Sequence, residues 1–300
     1  MKAKYVNPFT DFGFKKIFGE EASKPILIDF LTNLLPETNI VNLTLKNNEK
    51  LGQRTDDRKA VYDIYCEDNN GEKMIVELQK AKQNYFKDRT IYYATFPIQE
   101  QAERGEWNYE LKAVYCIGIL DFTFDDKHDL ENGEVIHTVQ LKNQHNQLFY
   151  NKLKFVYLEM PHFTKQEHEL ATRLDKWLYF IKHVADLQVV PDIFEDTIFM
   201  QAFEKAEIAT YTNAEQYDYE QSLKSYRDLK GVIDTAFDEG KMEGKIEGKI
   251  EGKIEGKIEG KIEGKIEGKM EVAKALKANG ITIGIIASAT GLTESEIEKL

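Results

Sequence analysis

Cysteine is nearly absent from this 300-residue chain: Cys66 and Cys116, each inside an apolar run, are the only two. That scarcity excludes a disulfide framework and a Cys-type zinc site. No apolar run reaches the 18 residues or so that a membrane-spanning helix needs, and the opening MKAKYVNPF lacks the apolar stretch of a signal peptide. The chain therefore reads as soluble and cytoplasmic. Positive charge is in deficit too, with 40 Lys and Arg against 52 Asp and Glu, a net of −12. No global field draws such a protein to nucleic acid or to a membrane, so a nucleic-acid function has to rest on a local basic surface. The six His show no His-Glu-x-x-His or other paired ligand spacing, which argues against a zinc enzyme. No phosphate-cradling G-x-x-x-x-G-K-[ST] or G-x-G-x-x-G loop occurs outside the tail, so no nucleotide cofactor is expected.

What is present is a chain that is 42% hydrophobic and 11% aromatic, enough for a substantial core through about residue 240. Residues 1–160 mix helical and strand-like runs. PILIDFLTNLL (25–35) has helical apolar spacing and stops at Pro36. VYDIYC (61–66) and KMIVELQ (73–79) are rich in β-branched and aromatic residues, and Asn69-Asn70-Gly71 between them is turn chemistry, so they read as a hairpin. Residues 83–104 read as an amphipathic helix ending at Gly105, with a kink expected at Pro97. LKAVYCIGIL (111–120) reads as a strand covered on both faces, and 148–160 as one or two more strands. Residues 161–239 follow a helical pattern and read as a helical extension.

Residues 240–271 are eight copies of Gly-Lys-(Ile/Met)-Glu, whose charges cancel. Eight glycines cost roughly 1 kcal/mol each relative to Ala in a helix, and each i,i+4 charge pair sets like against like. The tract is expected either to associate with a second copy, as part of a homo-oligomer, or to act as a charged spacer. Residues 272–300 form a small helical unit of helix-turn-helix shape. Its last helix carries Glu294, Glu296 and Glu298 against Lys299, so DNA readout by that helix is not expected.

The chemistry gathers on the hairpin. With the turn centred near residue 70, Asp63 falls opposite Glu77, which puts their Cβ atoms about 5 Å apart on one face. Two carboxylates that close repel unless they hold a divalent cation, and an all-oxygen pair suits Mg²⁺ or Mn²⁺. Gln79 points the same way as Glu77. Lys73, Lys80, Lys82, Lys87 and Arg89 make residues 73–89 locally basic, and Lys80, Lys82, Lys87 and Arg89 are candidate DNA contacts. Tyr92 and Tyr93 are expected in the core. Glu20 is a candidate third metal ligand from the amino-terminal block.

Two separated blocks, NPFTDFGFKKIFGE (7–20) and DDRKAVYDIYCEDNNGEKMIVELQKAKQNYFKDRTIYYAT (56–95), resemble the PD-(D/E)XK nuclease family transposases, also described as recombination-promoting nucleases. The resemblance spans residues 5–200, and the repeat-bearing tail is similar to tails in that family. It implies an α/β, restriction-endonuclease-like core of a mixed sheet flanked by helices, carrying the helical extension and the repeat-containing tail. It implies DNA as substrate, Mg²⁺ or Mn²⁺ as cofactor, and Asp63 and Glu77 as the acids of a metal-dependent endonuclease. The motif's lysine position holds Gln79, which cannot carry charge; it can orient a water, and the cation that replaces the lysine stays open. A catalytically silent scaffold working through its tail is the competing expectation.

Overall fold

A computed structural model describes residues 3–47, 49–50, 60–103, 105–124 and 133–300. Two amino-terminal helices, α1 (Asp11–Phe18) and α2 (Lys24–Leu34), precede a run of strands. These are β1 (Leu43–Leu45), β2 (Glu49–Lys50), β3 (Ala60–Val61), β4 (Ile64–Asp68) and β5 (Lys73–Gln79). After helix α3 (Phe86–Gln99) come β6 (Val114–Leu120), β7 (Ile136–Lys142) and β8 (Leu148–Glu159). Helices α4 (Arg173–His183), α5 (Thr197–Ala206), α6 (Asn213–Ala278), α7 (Ile283–Thr290) and α8 (Glu294–Glu298) complete the order.

Six strands make one mixed sheet in the order β1-β4-β5-β6-β8-β7, and β2 pairs with β3 apart from it. β5, β6 and β8 run parallel at its centre, and the remaining pairs are antiparallel. All seven residues of β6 are buried, as expected of a strand covered on both faces. Side-chain alternation then sorts the layers. Met74, Val76 and Leu78 of β5, with Tyr115, Ile117 and Ile119 of β6, face a core shared with α1, α2, α4 and α5, in which Trp177 is fully buried. Ile75 of β5 and Cys116 and Leu120 of β6 face the other way, toward a second core capped by Phe86 and Ala94 of α3.

The β4–β5 hairpin has the expected register: Ile64 pairs with Val76 and Glu67 with Lys73. Its turn relies on Gly71, whose φ of 80° is a conformation a side chain would strain. Asp63 does not sit mid-strand. β4 begins at Ile64, and Asp63 occupies the bend between β3 and β4. The helix read over 83–104 is shorter in the structure, Phe86–Gln99, and the residue at its expected end, Arg104, lies outside the described residues. Pro97 lies in its last turn. Strands β1 and β7 had no counterpart in the sequence reading.

The chain divides into two compact units, Met1–Val232 and Ile233–Leu300. The first therefore includes the sheet together with α4 and α5. In the second, residues 240–271 are helical, and Ile246, Ile250, Ile254, Ile258 and Ile262 are each about half exposed. Beyond them Ala273, Ile286, Leu292 and Ile297 bury a small core. Gly280 (φ 76°) and Gly291 (φ 71°) make the tight exits, and Thr293 with Glu296 forms a capping box for α8.

Candidate active site

The site is built at the end of β5 where the sheet meets α3. Glu77 lies opposite Gly118 on β6, which in turn lies opposite Tyr157 on β8, so a residue without a side chain backs the acid. A Cβ at position 118 would stand 3.0 Å from the Tyr157 ring, and that ring fills the space. The Tyr157 hydroxyl then meets Thr90 Oγ1 of α3 at 2.8 Å in a buried bond, which fixes how α3 lies against the sheet.

Asp63 and Glu77 are cross-tied through backbone N–H groups of the two segments. The Asp63 N–H donates to Glu77 Oε1 (3.3 Å), and the Leu78 N–H donates to Asp63 Oδ2 (2.7 Å). Burial pushes the Glu77 carboxyl up to about 8, with the negative Asp63 beside it adding to the rise; the Asp63 N–H, Arg89 and Lys15 act against it. Burial also raises Asp63, the Leu78 N–H opposes this, Asp11 reinforces it, and Lys15 and Lys80 pull down. Two carboxyl groups are thus held side by side and partly buried, where ionising both is disfavoured, an arrangement that a divalent cation would relieve.

Gln79 extends the chain of contacts. Its Nε2 faces Glu77 Oε2 at 3.5 Å, and its Oε1 accepts from the guanidinium of Arg89 at 2.5 Å. Arg89 also donates to Gln83 Oε1 at 2.6 Å. Two acids, an amide and a guanidinium therefore form one connected row from the bend before β4 across β5 to α3.

A family model for the PD-(D/E)XK nuclease family transposases matches residues 8–236. The chain belongs to that family. No curated protein matches the chain, and no solved structure matches it. Within the family's region the mixed sheet with helices on both faces fits a PD-(D/E)XK fold, and Asp63, Glu77 and Gln79 are brought together.

Glu20 is not brought to them. Lys16 donates to its Oε1 (2.9 Å) and Lys205 to its Oε2 (2.7 Å), while Lys16 also reaches Glu215 (2.6 Å). Burial raises its carboxyl, but these two ammonium groups outweigh that and leave it below the usual range. Glu20 is thereby engaged in a clamp between α1, α5 and the start of α6. The acid of α1 whose charge bears on Asp63 is Asp11, paired with Lys15 at 3.0 Å. Both lie in the first block that carried the family resemblance, but nothing in their spacing pointed to the hairpin.

Of the basic candidates, Lys80 is half-buried just past β5 and exerts its charge on Asp63. Lys82 and Lys87 are exposed and line a surface cavity with Tyr85, Phe86, Phe122 and Phe124. Lys87 Nζ lies 4.7 Å from the centre of the Phe124 ring. Tyr93 packs on the second core as expected, but Tyr92 is exposed: α3 buries the line Phe86–Thr90–Ala94, and Tyr92 falls on the opposite side. Among the described residues no group of three or more His, Cys, Asp or Glu side chains is arranged to hold a metal ion.

Proposed function

We propose that this chain is a divalent-metal-dependent DNA endonuclease that hydrolyses phosphodiester bonds, of the recombination-promoting kind. The observation that carries the reading is the cross-tied pair of Asp63 and Glu77, two carboxyl groups of raised pKa set beside each other across the hairpin. Asp63 and Glu77 would hold Mg²⁺ or Mn²⁺, and the oxygen-only donor set fits either ion. When bound, the cation supplies Lewis acidity toward a phosphoryl oxygen and makes a nearby water more acidic. The chain's own residues do the positioning. Gln79 accepts from Arg89 through its carbonyl oxygen and turns its amide N–H groups toward Glu77, where one can also hold a water. Lys80, Lys82 and Lys87 offer cations for the DNA backbone, contacts that hold a duplex in register without reading its sequence.

The tail supports a second element of the reading, a homo-oligomer. In an α-helix of Gly-Lys-Ile-Glu repeats, each Ile row has Lys about 100° to one side and Glu about 100° to the other. A parallel second copy sets Lys against Glu on both flanks of the Ile seam, while an antiparallel copy sets like against like. The half-exposed Ile side chains favour a parallel partner copy.

Plasmid nicking with Mg²⁺, Mn²⁺ and EDTA tests the activity. Nicking should require the metal, and Asp63→Ala and Glu77→Ala should each abolish it with the far-UV spectrum unchanged. Metal-dependent nicking that persists in either variant rejects the assignment.

A further inference from the structure

Phosphodiester cleavage builds negative charge on the phosphoryl oxygens, so the surrounding protein needs a fixed positive charge beside its metal. Gln79 cannot supply it. We propose that Arg89 of α3 supplies the site's fixed positive charge, delivered through Gln79 to the Glu77 side of the acid pair. The inference rests on the nuclease reading of Asp63 and Glu77.

Five observations single out Arg89. Its guanidinium donates to two neutral acceptors, the side-chain oxygens of Gln79 (2.5 Å) and Gln83 (2.6 Å). Among the described residues no carboxylate lies within 4.0 Å of it, so its charge is not cancelled by direct pairing. Lys15, whose charge reaches both acids, is paired with Asp11 at 3.0 Å, whereas Arg89 acts on Glu77. The guanidinium also lies 5.7 Å from the Phe86 ring centre and 5.8 Å from that of Tyr93, so apolar surface restricts its rotamers. Finally, its aim is set by the backbone. The Arg89 N–H bonds the Tyr85 carbonyl (2.9 Å) across the left-handed start of α3, and the adjacent Thr90 is locked to Tyr157. A charge held this way costs no reorganisation when negative charge develops, which is where electrostatic catalysis gains most.

Because the charge comes from a helix rather than from the strand, it should be movable back to the strand. Gln79→Lys places an ammonium two residues beyond Glu77 on the same face. Alone, that variant sets the new ammonium against Arg89 and removes an acceptor from the guanidinium. Combined with Arg89→Gln, it restores one cation to the site.

The experiment uses the full chain as parent, Arg89→Gln, Arg89→Lys, and the double variant Gln79→Lys/Arg89→Gln. Plasmid nicking and calorimetric Mn²⁺ binding without DNA are measured on each. Arg89→Gln should nick about 100-fold more slowly. Its Mn²⁺ affinity should rise, by up to about tenfold, because a positive neighbour of Glu77 is gone. Arg89→Lys should keep more activity than Arg89→Gln, and the double variant should recover at least about tenfold over Arg89→Gln while its Mn²⁺ affinity falls back. A merely structural Arg89 would lower nicking and Mn²⁺ binding together, and a lysine in place of Gln79 would rescue neither. Nicking by Arg89→Gln within about threefold of the parent, or no recovery in a folded, Mn²⁺-binding double variant, overturns the proposal. A parent that binds Mn²⁺ without nicking removes the nuclease reading instead. The Arg89 assignment then stands or falls on the affinities alone: tightening in Arg89→Gln that the double variant reverses supports it, and equal affinities overturn it.

Discussion

Replacing Glu77 with Gln should stabilise the protein at alkaline pH while destroying its metal site. In the folded chain the Glu77 carboxyl is raised from the ordinary glutamate range to about 8, first by burial and then by Asp63. A raised carboxyl pKa means that the folded state holds a proton the unfolded chain has already lost. Stability therefore falls as pH rises from about 4.5 to about 8, and the penalty is complete above that. At about 1.4 kcal/mol for each pH unit of displacement the ceiling is about 4–5 kcal/mol. Glutamine removes the charge but keeps an oxygen for the Asp63 N–H, losing only the long 3.5 Å contact to Gln79. A net gain of about 2–4 kcal/mol is the result, or roughly 5–10 °C in Tm for a unit of this size. Differential scanning calorimetry in EDTA at pH 5 and pH 8.5 reads it directly. At pH 5 the parent pair already carries its proton, so Glu77→Gln and the parent should melt together. At pH 8.5 the variant should melt higher, and added Mn²⁺ should raise the parent but not the variant. Equal melting points at both pH values, or a variant that is less stable at pH 8.5, would refute the argument that the two carboxylates are held together against their repulsion.

Glu20→Gln should leave metal-dependent nicking unchanged and lower stability by only about 1 kcal/mol, since its ion pairs with Lys16 and Lys205 are partly exposed and screened; loss of Mn²⁺ binding in that variant would return Glu20 to the metal site. Truncation after Phe237 should retain nicking but lower the number of copies per particle measured by light scattering, because it removes the half-exposed Ile row; an unchanged copy number would reduce the repeat tract to a spacer.

The hairpin was legible because three local signals agreed: β-branched alternation in 73–79, a glycine able to take φ 80° at position 71, and carboxylates equidistant from the turn. Its register depends only on the turn and on period-two alternation, so the facing of Asp63 and Glu77 could be counted from the sequence. The turns and cap of the last unit are as local: Gly280, Gly291 and the Thr293/Glu296 box each act within four residues of where they stand. Strand β7 was not legible, since its edge position leaves it a half-exposed mixture, Ile136 to Lys142, with no buried face to impose a pattern. Tyr92 failed as a core residue because helical periodicity says that one face is buried without saying which aromatic lies on it. The burial line was set by Thr90, a polar residue that earned its place through Tyr157 on a distant strand.

The same limit explains how the site's cation could be read as a mere DNA contact. A motif reading looks for charge at a fixed spacing along one strand, because a strand's geometry turns spacing into direction. Arg89 stands ten residues past Gln79, beyond a loop and a left-handed turn at Tyr85, and there spacing no longer fixes direction. What fixes it is the packing of α3 on the sheet: Phe86 against Phe122, Phe124 and Tyr157, and Thr90 against Tyr157 over the gap left by Gly118. Those are contacts between residues up to 71 positions apart, and none carries charge. A strand that gives up its lysine can therefore keep the chemistry if the next helix is held firmly enough to return a positive charge to the same amide. In this chain the firmness comes from a buried hydroxyl pair and a glycine.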